Sequence, residues 1–384
     1  MSFPPAAGHD HDADLSDSAA SVFAQSYAQA RALFLDAVSE PLAYPCAATG
    51  PDGEPLFTDI AWIGDPAARD VLVVLSAVHG VEGYCGSGVQ VDLAQRPVRL
   101  ADDQAVLLIH AVNPYGFAWD RRVTEEGCDL NRNFVDFEQG APDNPGYPSL
   151  AEHLLPLSLE PDAVAVAEQA LETLRGQMGE RAFQVARKSG QYVDPKGMFF
   201  GGREPAGARL ALEAIARDLG LAERRFVTVI DLHTGLGPYG YGEVQSENEP
   251  DSLCHQLGAA MFGPALTFPA LGTSYSVPVT GTLQLMWERL RGDGRYVYGC
   301  LEFGTFDQEA SRRAYRLDHW HHGYGGGDPH SDLGRQARAA MRAQFYPEDQ
   351  AWKEMVLFRS RQIVRQAAQG MAALSASHSE SPAP

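Results

Sequence analysis

Histidine and glutamate, residue types that commonly bind metal ions, follow two apolar segments of the chain. His79 and Glu82 stand three positions apart in HGVEG, directly after VLVVLSAV (71–78), and His233 follows FVTVIDL (226–232). A lone HxxE match is common, but the second histidine at an equivalent position completes a His2Glu set, which leaves the fourth zinc position open for water. The spacing therefore predicts a catalytic site with one Zn2+ per chain, held by His79, Glu82 and His233.

Glu302 is a carboxylate within the apolar segment YVYGCLEF (296–303). Burying a carboxylate there is costly unless the group is paired or used in chemistry. Given the metal site, we expect Glu302 to act as general base on the attacking water and then to protonate the leaving group, a role worth about 10²–10⁴ in rate. The structural alternative is a buried glutamate that pairs with an arginine.

The segment NPYGFAWDRRVTEEGCDLNRNF (113–134) is the densest polar stretch of the chain. Arg132 offers the planar, two-pronged donor that binds a carboxylate, and Asn131 can hydrogen-bond beside it. Either Arg121 or Arg122 can stabilise the oxyanion of a tetrahedral intermediate. The alternative is a solvated loop whose arginines neutralise nearby acidic side chains.

The elements that position these residues can be predicted from hydrophobic patterning. Short apolar runs, typical of strands buried on both faces, occur at 71–78, 105–112, 226–232 and 296–303. Helical patterns occur at 16–39, 162–178, 206–220 and 348–374. Strands that alternate with helices predict an α/β fold with a largely parallel sheet. Ligands of such sheets bind beyond the carboxyl ends of the strands, where the candidate residues stand.

Two further features receive no functional role from the sequence. The segment DHWHHGYGGGDPH (318–330) holds four histidines, and we expect a flexible surface loop rather than a second metal site. Asp231 precedes His233 by two positions, and we expect no contact between the two side chains as long as the strand continues through both.

The composition argues against several classes of protein. The 384 residues include 30 Lys and Arg against 50 Asp and Glu, a net charge of −20, whereas nucleic-acid binding needs clustered basic residues. No apolar run approaches the length of about 18 residues that spans a bilayer, so we expect no membrane partner. The chain contains no GxSxG motif and no P-loop, which argues against a serine hydrolase and an NTPase.

The cysteines and the ends of the chain indicate a compartment and a domain organisation. The five cysteines lie far apart without a CxxC pair, which is typical of a reducing compartment. The first residues carry His and Asp where a secretory signal needs basic and then apolar residues, so we expect a cytoplasmic protein. We expect disordered ends at 1–18 and 375–384, and a single catalytic domain over 19–374.

The motifs taken together resemble a known family. They are HGVEG (79–83), NPYGF (113–117), RRVTEEGCDLNRNF (121–134), KGMFFGG (196–202), DLHTGLG (231–237) and LEFGT (301–305). In this order they are similar to the zinc carboxypeptidase-like M14 superfamily, and in particular to its DUF2817 branch, from about residue 20 to about residue 370. The resemblance implies a mixed, mainly parallel twisted sheet flanked by helices on both faces.

The resemblance also implies roles for individual residues. It makes His79, Glu82 and His233 the zinc ligands and Glu302 the base, and it places Asn131 and Arg132 on the substrate carboxylate. One of Arg121 and Arg122 would stabilise the oxyanion, and Arg122 is favoured because it is nearer the DLNRNF motif. Tyr275, between the third ligand and the base, is the candidate for the mobile tyrosine that carboxypeptidases of the superfamily use on the substrate.

The resulting hypothesis is a zinc-dependent hydrolase that cleaves an amide bond in a small molecule or peptide with a free carboxylate. Both a carboxypeptidase and an N-acyl amino acid deacylase fit this description. Two alternatives are a zinc-dependent esterase or lactonase and a zinc-binding protein without catalytic activity. A cysteine hydrolase built on Cys85 or Cys128 is a further, less favoured alternative.

Overall fold

The computed structural model describes residues 11–250 and 252–379 of the chain. Its eight-stranded sheet has the order β1-β2-β4-β3-β5-β8-β6-β7. The strands are β1 (Leu42–Thr49), β2 (Pro55–Gly64), β3 (Asp70–Leu75), β4 (Gln104–His110), β5 (Phe226–Tyr239), β6 (Gly242–Gln245), β7 (Leu266–Thr267) and β8 (Arg295–Gly304).

The centre of the sheet is parallel and its margins are mixed. Strands β4, β3, β5 and β8 run parallel to one another, whereas β2 is antiparallel to both β1 and β4, and β6 is antiparallel to β8. The outermost pair, β6 and β7, is parallel again. The prediction of an α/β fold with a mixed, mainly parallel sheet is confirmed, and the four strands predicted from apolar runs are these four central ones.

Helices follow or connect most of the strands. They are α1 (His11–Val22), α2 (Tyr27–Ala37), α3 (Gly83–Gln95), α4 (Pro114–Ala118), α5 (Pro148–Leu154), α6 (Pro161–Met178), α7 (Glu180–Lys188), α8 (Gly207–Asp218), α9 (Leu253–Phe262), α10 (Gln284–Arg291), α11 (Gln308–Tyr324), α12 (Asp332–Phe345) and α13 (Gln350–Ser379). Single 3₁₀ turns at Gly80–Glu82 and Leu130–Arg132 lie beside the predicted site.

Helices cover both faces of the sheet, which explains why apolar residues predominate on both faces of the central strands. Alternate residues of a strand point to opposite faces. Val71, Val73 and Leu75 of β3 pack in one core with side chains of α8 and α10. Leu72 and Val74 pack in a second core with side chains of α3 and α13. The central strands therefore have no face exposed to water.

The first helices differ from the sequence prediction. Residues 1–10 lie outside the described residues, but residues 11–18, predicted to be disordered, begin α1. This helix packs on α13, where Arg361 donates to Asp14 at 3.1 Å and to Ser18 at 2.9 Å. The single helix predicted over 16–39 is two helices, because Ser26 adopts an extended conformation and its side chain caps α2 by accepting from Gln29 N.

The C-terminal prediction is also corrected. Helix α13 continues through residues 375–379, which were predicted to belong to a disordered tail, and residues 380–384 lie outside the described part of the chain. Within the described part, no helix combines the length and the apolar character that crossing a bilayer requires.

Candidate functional site

The carboxyl ends of three adjacent parallel strands position the predicted metal ligands and the predicted base. His79 directly precedes the 3₁₀ turn that follows β3 and carries Glu82. His233 lies within β5 and is paired in register with Glu302 of the neighbouring strand β8. Because these strands are parallel, their carboxyl ends lie at the same edge of the sheet, and residues far apart in sequence meet there. This is the edge at which ligands of α/β sheets bind.

The donor atoms of the predicted ligands lie close enough to share one ion. The Nδ1 atoms of His79 and His233 are 3.0 Å apart. Glu82 places one carboxylate oxygen 3.0 Å from His79 Nδ1 and the other 2.9 Å from His233 Nδ1. All three side chains are buried, and together they form a group that can hold a metal ion. Two imidazole nitrogens and one carboxylate are a donor set that suits zinc.

Each of the two histidines has an aspartate carboxylate next to its Nε2 atom, on the side of the ring away from the cluster. His79 Nε2 lies 3.2 Å from Asp129 Oδ1, and His233 Nε2 lies 2.8 Å from Asp231 Oδ2. Carboxylates in this position orient metal-binding imidazoles and make them better donors. The expectation that Asp231 would not contact His233 was wrong. The strand does continue through both residues, and residues two apart on a strand share a face.

The pKa of Glu82 also fits a role as a ligand. Complete burial acts to raise its pKa, but the adjacent His79 and His233 rings outweigh burial and hold the pKa below its ordinary value. Glu82 also accepts hydrogen bonds from Thr234 N at 3.1 Å and from Arg122 Nη1 at 3.2 Å. The carboxyl group is therefore held ionised, the state in which it can bind a cation.

Glu302 stands beside this cluster in a different electrostatic setting. Burial, together with the negative charge of Glu82, raises the pKa of Glu302 to about 8. Its Oε1 accepts a hydrogen bond from Leu236 N at 2.9 Å, which fixes the side chain on the cavity wall. Two neighbouring carboxyl groups with pKa values shifted in opposite directions are typical of sites that divide ligand and proton-transfer roles.

Arg122 connects the cluster to the aspartate behind it. Its Nε donates to Asp129 Oδ2 at 2.9 Å, and its Nη1 donates to Glu82 and, at 3.1 Å, to the hydroxyl of Tyr315. Arg122 lines the cavity in front of the cluster. Within the described chain, Nη2 makes no hydrogen bond, so one donor of the guanidinium stays available to a ligand.

Asn131 and Arg132 line the same cavity and are held by backbone contacts. Asn131 Oδ1 accepts from Leu283 N at 2.8 Å. Arg132 Nε donates to Lys188 O at 2.9 Å, and its Nη1 donates to Asn131 O at 2.8 Å. Among the described residues, no carboxylate forms an ion pair with Arg132, which is a buried cation.

Two residues predicted from the resemblance are not brought to the cavity wall. The side chain of Arg121 points toward α11, away from the cluster of His79, Glu82 and His233. It is buried there in an ion pair with Asp318 at 3.0 Å. The side chain of Tyr275 is 56% exposed, whereas its neighbours Ser276 and Val277 do line the cavity.

The histidine-rich segment also differs from the predicted surface loop. Residues 318–324 complete α11 instead of forming a surface loop, and His319 and His321 are buried.

Cys85 and Cys128 are buried outside the cavity lining, and burial raises the pKa of both thiols well above the ordinary value. A cysteine nucleophile needs an accessible thiolate, so the structure does not support the cysteine hydrolase alternative.

Sequence reasoning missed the position of Asp231 beside His233 and three residues that line the cavity. Asp231 was detectable, because its spacing from His233 places both on one face of a strand. Arg187, Lys188 and Glu247 line the cavity, but they lie on segments without a recognisable motif. Burial raises the pKa of Glu247 to about 7, although the nearby charge of Arg132 acts in the opposite direction.

Comparison with known proteins identifies the family. The family model described as "Protein of unknown function (DUF2817)" matches residues 23–359. The chain belongs to the DUF2817 family. This confirms the branch that the sequence motifs indicated. No curated protein matches the sequence.

Several solved structures are similar to the chain over most of its length. Carboxypeptidase A from Helicoverpa armigera is 12% identical, with 94% of this chain and 81% of that chain covered and a TM-score of 0.47. A metallo-carboxypeptidase from Pseudomonas aeruginosa is 12% identical, with coverages of 88% and 71% and a TM-score of 0.39. A succinylglutamate desuccinylase from Silicibacter sp. TM1040 is 14% identical, with coverages of 72% and 64% and a TM-score of 0.38.

Proposed function

We propose that the protein is a zinc-dependent hydrolase that cleaves an amide bond in a small substrate with a free carboxylate. One observation carries this proposal. A single cavity is lined by the His79, Glu82 and His233 donor cluster, by the buried carboxyl group of Glu302, and by Arg132, a cation that pairs with no carboxylate of the described chain. A purely structural metal site would have no need of the last two groups.

The cluster and Glu302 supply complementary chemistry. His79, Glu82 and His233 would hold a zinc ion, which would supply Lewis acidity and lower the pKa of water to about 7. Glu302 accepts the proton of the attacking water and returns it to the leaving amine nitrogen. A carboxyl group whose pKa lies near neutrality suits both transfers, since it can hold the proton between them.

Arg132 and Arg122 would bind and polarise the substrate. The guanidinium of Arg132 neutralises the substrate carboxylate, and Asn131 aligns it through a side chain that is itself fixed by Leu283 N. Arg122 directs its unused Nη2 donor at the oxygen that becomes negative when the amide carbon is attacked. The acidic net charge of the chain makes such locally placed cations necessary for an anionic substrate.

The first test is metal content. Mass spectrometry of purified protein after supply of zinc should find about one zinc per chain in the wild type and none in His233→Ala. Absence of any transition metal in the wild type would overturn the proposal.

The second test is substrate chemistry. Matched substrates that end in a carboxylate or in the corresponding carboxamide should be compared in the wild type and in Arg132→Gln. We expect the substitution to raise KM for the carboxylates much more than for the carboxamides. Equal losses on both would remove Arg132 from substrate binding, and turnover of esters without amides would change the reaction class.

A further inference from the structure

Two neighbouring cations on the cavity wall form no ion pair with a carboxylate of the described residues. Arg187 and Lys188 are the last residues of α7, and both line the cavity. Arg187 Nη2 and Lys188 Nζ donate to the same atom, Gln308 Oε1, at 2.9 and 2.7 Å. One neutral amide oxygen is thus shared by two positive charges. Arg187 is only 5% exposed, and its Nε has no hydrogen-bond partner among the described residues.

Two other arginines of the cavity, Arg312 and Arg122, are neutralised by carboxylates. Arg312 forms an ion pair with Glu168, and Arg122 forms ion pairs with Asp129 and Glu82. In the described part of the chain no carboxylate is paired with Arg187 or Lys188. The end of a helix favours cations only weakly, so the position of the pair at the end of α7 does not compensate for its burial.

The titration behaviour of the pair agrees with this geometry. Burial, together with the nearby charge of Arg312, lowers the pKa of Arg187 to about 10. Burial also lowers the pKa of Lys188 well below its ordinary value, and Arg187 adds to the effect. A bound anion would raise the pKa of both side chains again, because it stabilises their charged forms.

The pair is separate from the Arg132 position. Arg132 makes its side-chain hydrogen bonds to backbone carbonyl groups, whereas the side chains of Arg187 and Lys188 both donate to Gln308 Oε1. The backbone carbonyl of Lys188 accepts from Arg132 Nε, so the two positions are adjacent segments of one wall. One substrate carboxylate can neutralise one of these cationic positions and leaves the other uncompensated.

We propose that Arg187 and Lys188, oriented by Gln308, form a second anion subsite, which binds an acidic group on the acyl half of the substrate. The substrate class is then an amide with two acidic groups, one on Arg132 and one on the Arg187–Lys188 pair. This inference rests on the proposed function for the position of the scissile amide, but the subsite itself is defined by the cations alone.

A kinetic experiment tests the subsite on the zinc-loaded protein. Substrates with one amine half are prepared with an acyl chain that ends either in a carboxylate or in its carboxamide isostere. We expect the wild type to favour the carboxylate by at least about tenfold in kcat/KM, and we expect Arg187→Gln and Lys188→Gln each to reduce this ratio toward one. Arg181→Gln removes the same charge from an exposed position of the same helix, and it should keep the wild-type ratio.

A binding experiment separates failure of the subsite from failure of the proposed function. Calorimetry on the wild type should show glutarate bound at least about tenfold more tightly than its monoamide, and Arg187→Gln should remove the difference. If no amide is cleaved, the proposed function fails while this comparison still supports or overturns the subsite. Equal affinities of the wild type for the two compounds, or a preference that survives in both variants, would overturn it.

Discussion

His233 Nε2 lies 2.8 Å from Asp231 Oδ2, and the two residues are separated by a single position of β5. The same aspartate oxygen accepts a hydrogen bond from the hydroxyl of Tyr298 on the adjacent strand at 2.7 Å. With Nε2 next to this carboxylate, Nδ1 on the other side of the ring faces His79 and Glu82. The aspartate therefore sets which nitrogen of His233 is presented to a cation.

Replacing Asp231 by Asn should weaken zinc binding without abolishing it. The substitution keeps the size of the side chain but removes the negative charge behind His233, and outer partners of this kind are typically worth about 10–100-fold in metal affinity. Competition with a chromophoric chelator measures the change. Asp70→Asn, which alters a buried aspartate paired with Arg225 at the opposite end of the sheet, is the matched control and should leave zinc affinity unchanged. Equal effects of the two substitutions would contradict the role of Asp231.

Replacing Glu302 by Gln should separate proton transfer from metal binding. Glutamine preserves the oxygen that accepts from Leu236 N, so the local structure should persist. It cannot accept a proton from water, and we expect kcat to fall by about 10²–10⁴. Zinc content should stay at the wild-type level, because Glu302 is not one of the three clustered donors. Loss of zinc together with activity would instead place Glu302 among the ligands.

The sequence predicted the central strands and the cluster of His79, Glu82 and His233 for one physical reason. Strands buried on both faces are near-continuous apolar runs, so polar residues such as His79 stand out at or near the ends of these runs. The marginal strands carry no such signal. Strand β1 (Leu42–Thr49) is half exposed and contains a proline, and β7 (Leu266–Thr267) has only two residues.

The second anion subsite was outside the reach of sequence reasoning for a different reason. Arg187 and Lys188 end an ordinary amphipathic helix, where basic residues are common and usually solvated. Only the packing of α7 against the start of α11 brings them to Gln308 and buries them. The exposure of Tyr275 likewise depends on how its loop packs. The order of motifs along the chain does not predict this packing.

Gly80 should be intolerant of any side chain. A Cβ atom there would lie 2.0 Å from the backbone carbon of Gly116, so the turn that carries His79 and Glu82 could not keep its place against α4. We expect Gly80→Ala to lower the free energy of unfolding by about 3 kcal/mol, the upper part of the range for overpacking. Chemical denaturation measures the change. Gly176→Ala on α6, where a Cβ would meet nothing within 4 Å, should be neutral or slightly stabilising. Similar losses in both variants would show that close approach to Gly116 is not the cause.

His110 should make the folded state sensitive to acid. Its ring is buried, stacks on Phe34 at 4.5 Å between centroids, and has Nε2 2.9 Å from the hydroxyl of Ser87. Burial, reinforced by the positive charge of Arg31, lowers its pKa from 6.5 to about 3. Between these two values the unfolded chain binds a proton at His110 that the folded chain does not. Stability from this residue is therefore complete above about pH 6.5 and is lost as the pH falls toward 3.

The size of this effect follows from proton linkage. A single group contributes at most about 1.4 kcal/mol per pH unit to the slope of the unfolding free energy. Urea denaturation at several values from about pH 4 to about pH 6 should therefore give a shallower slope for His110→Gln than for the wild type, by up to this amount. His330→Gln should leave the slope as it is, because the His330 side chain is 61% exposed and stays largely in water when the chain folds. An unchanged slope in His110→Gln would mean that the ring at this position is protonated in the folded protein, and that Ser87 and the surrounding core accommodate its charge.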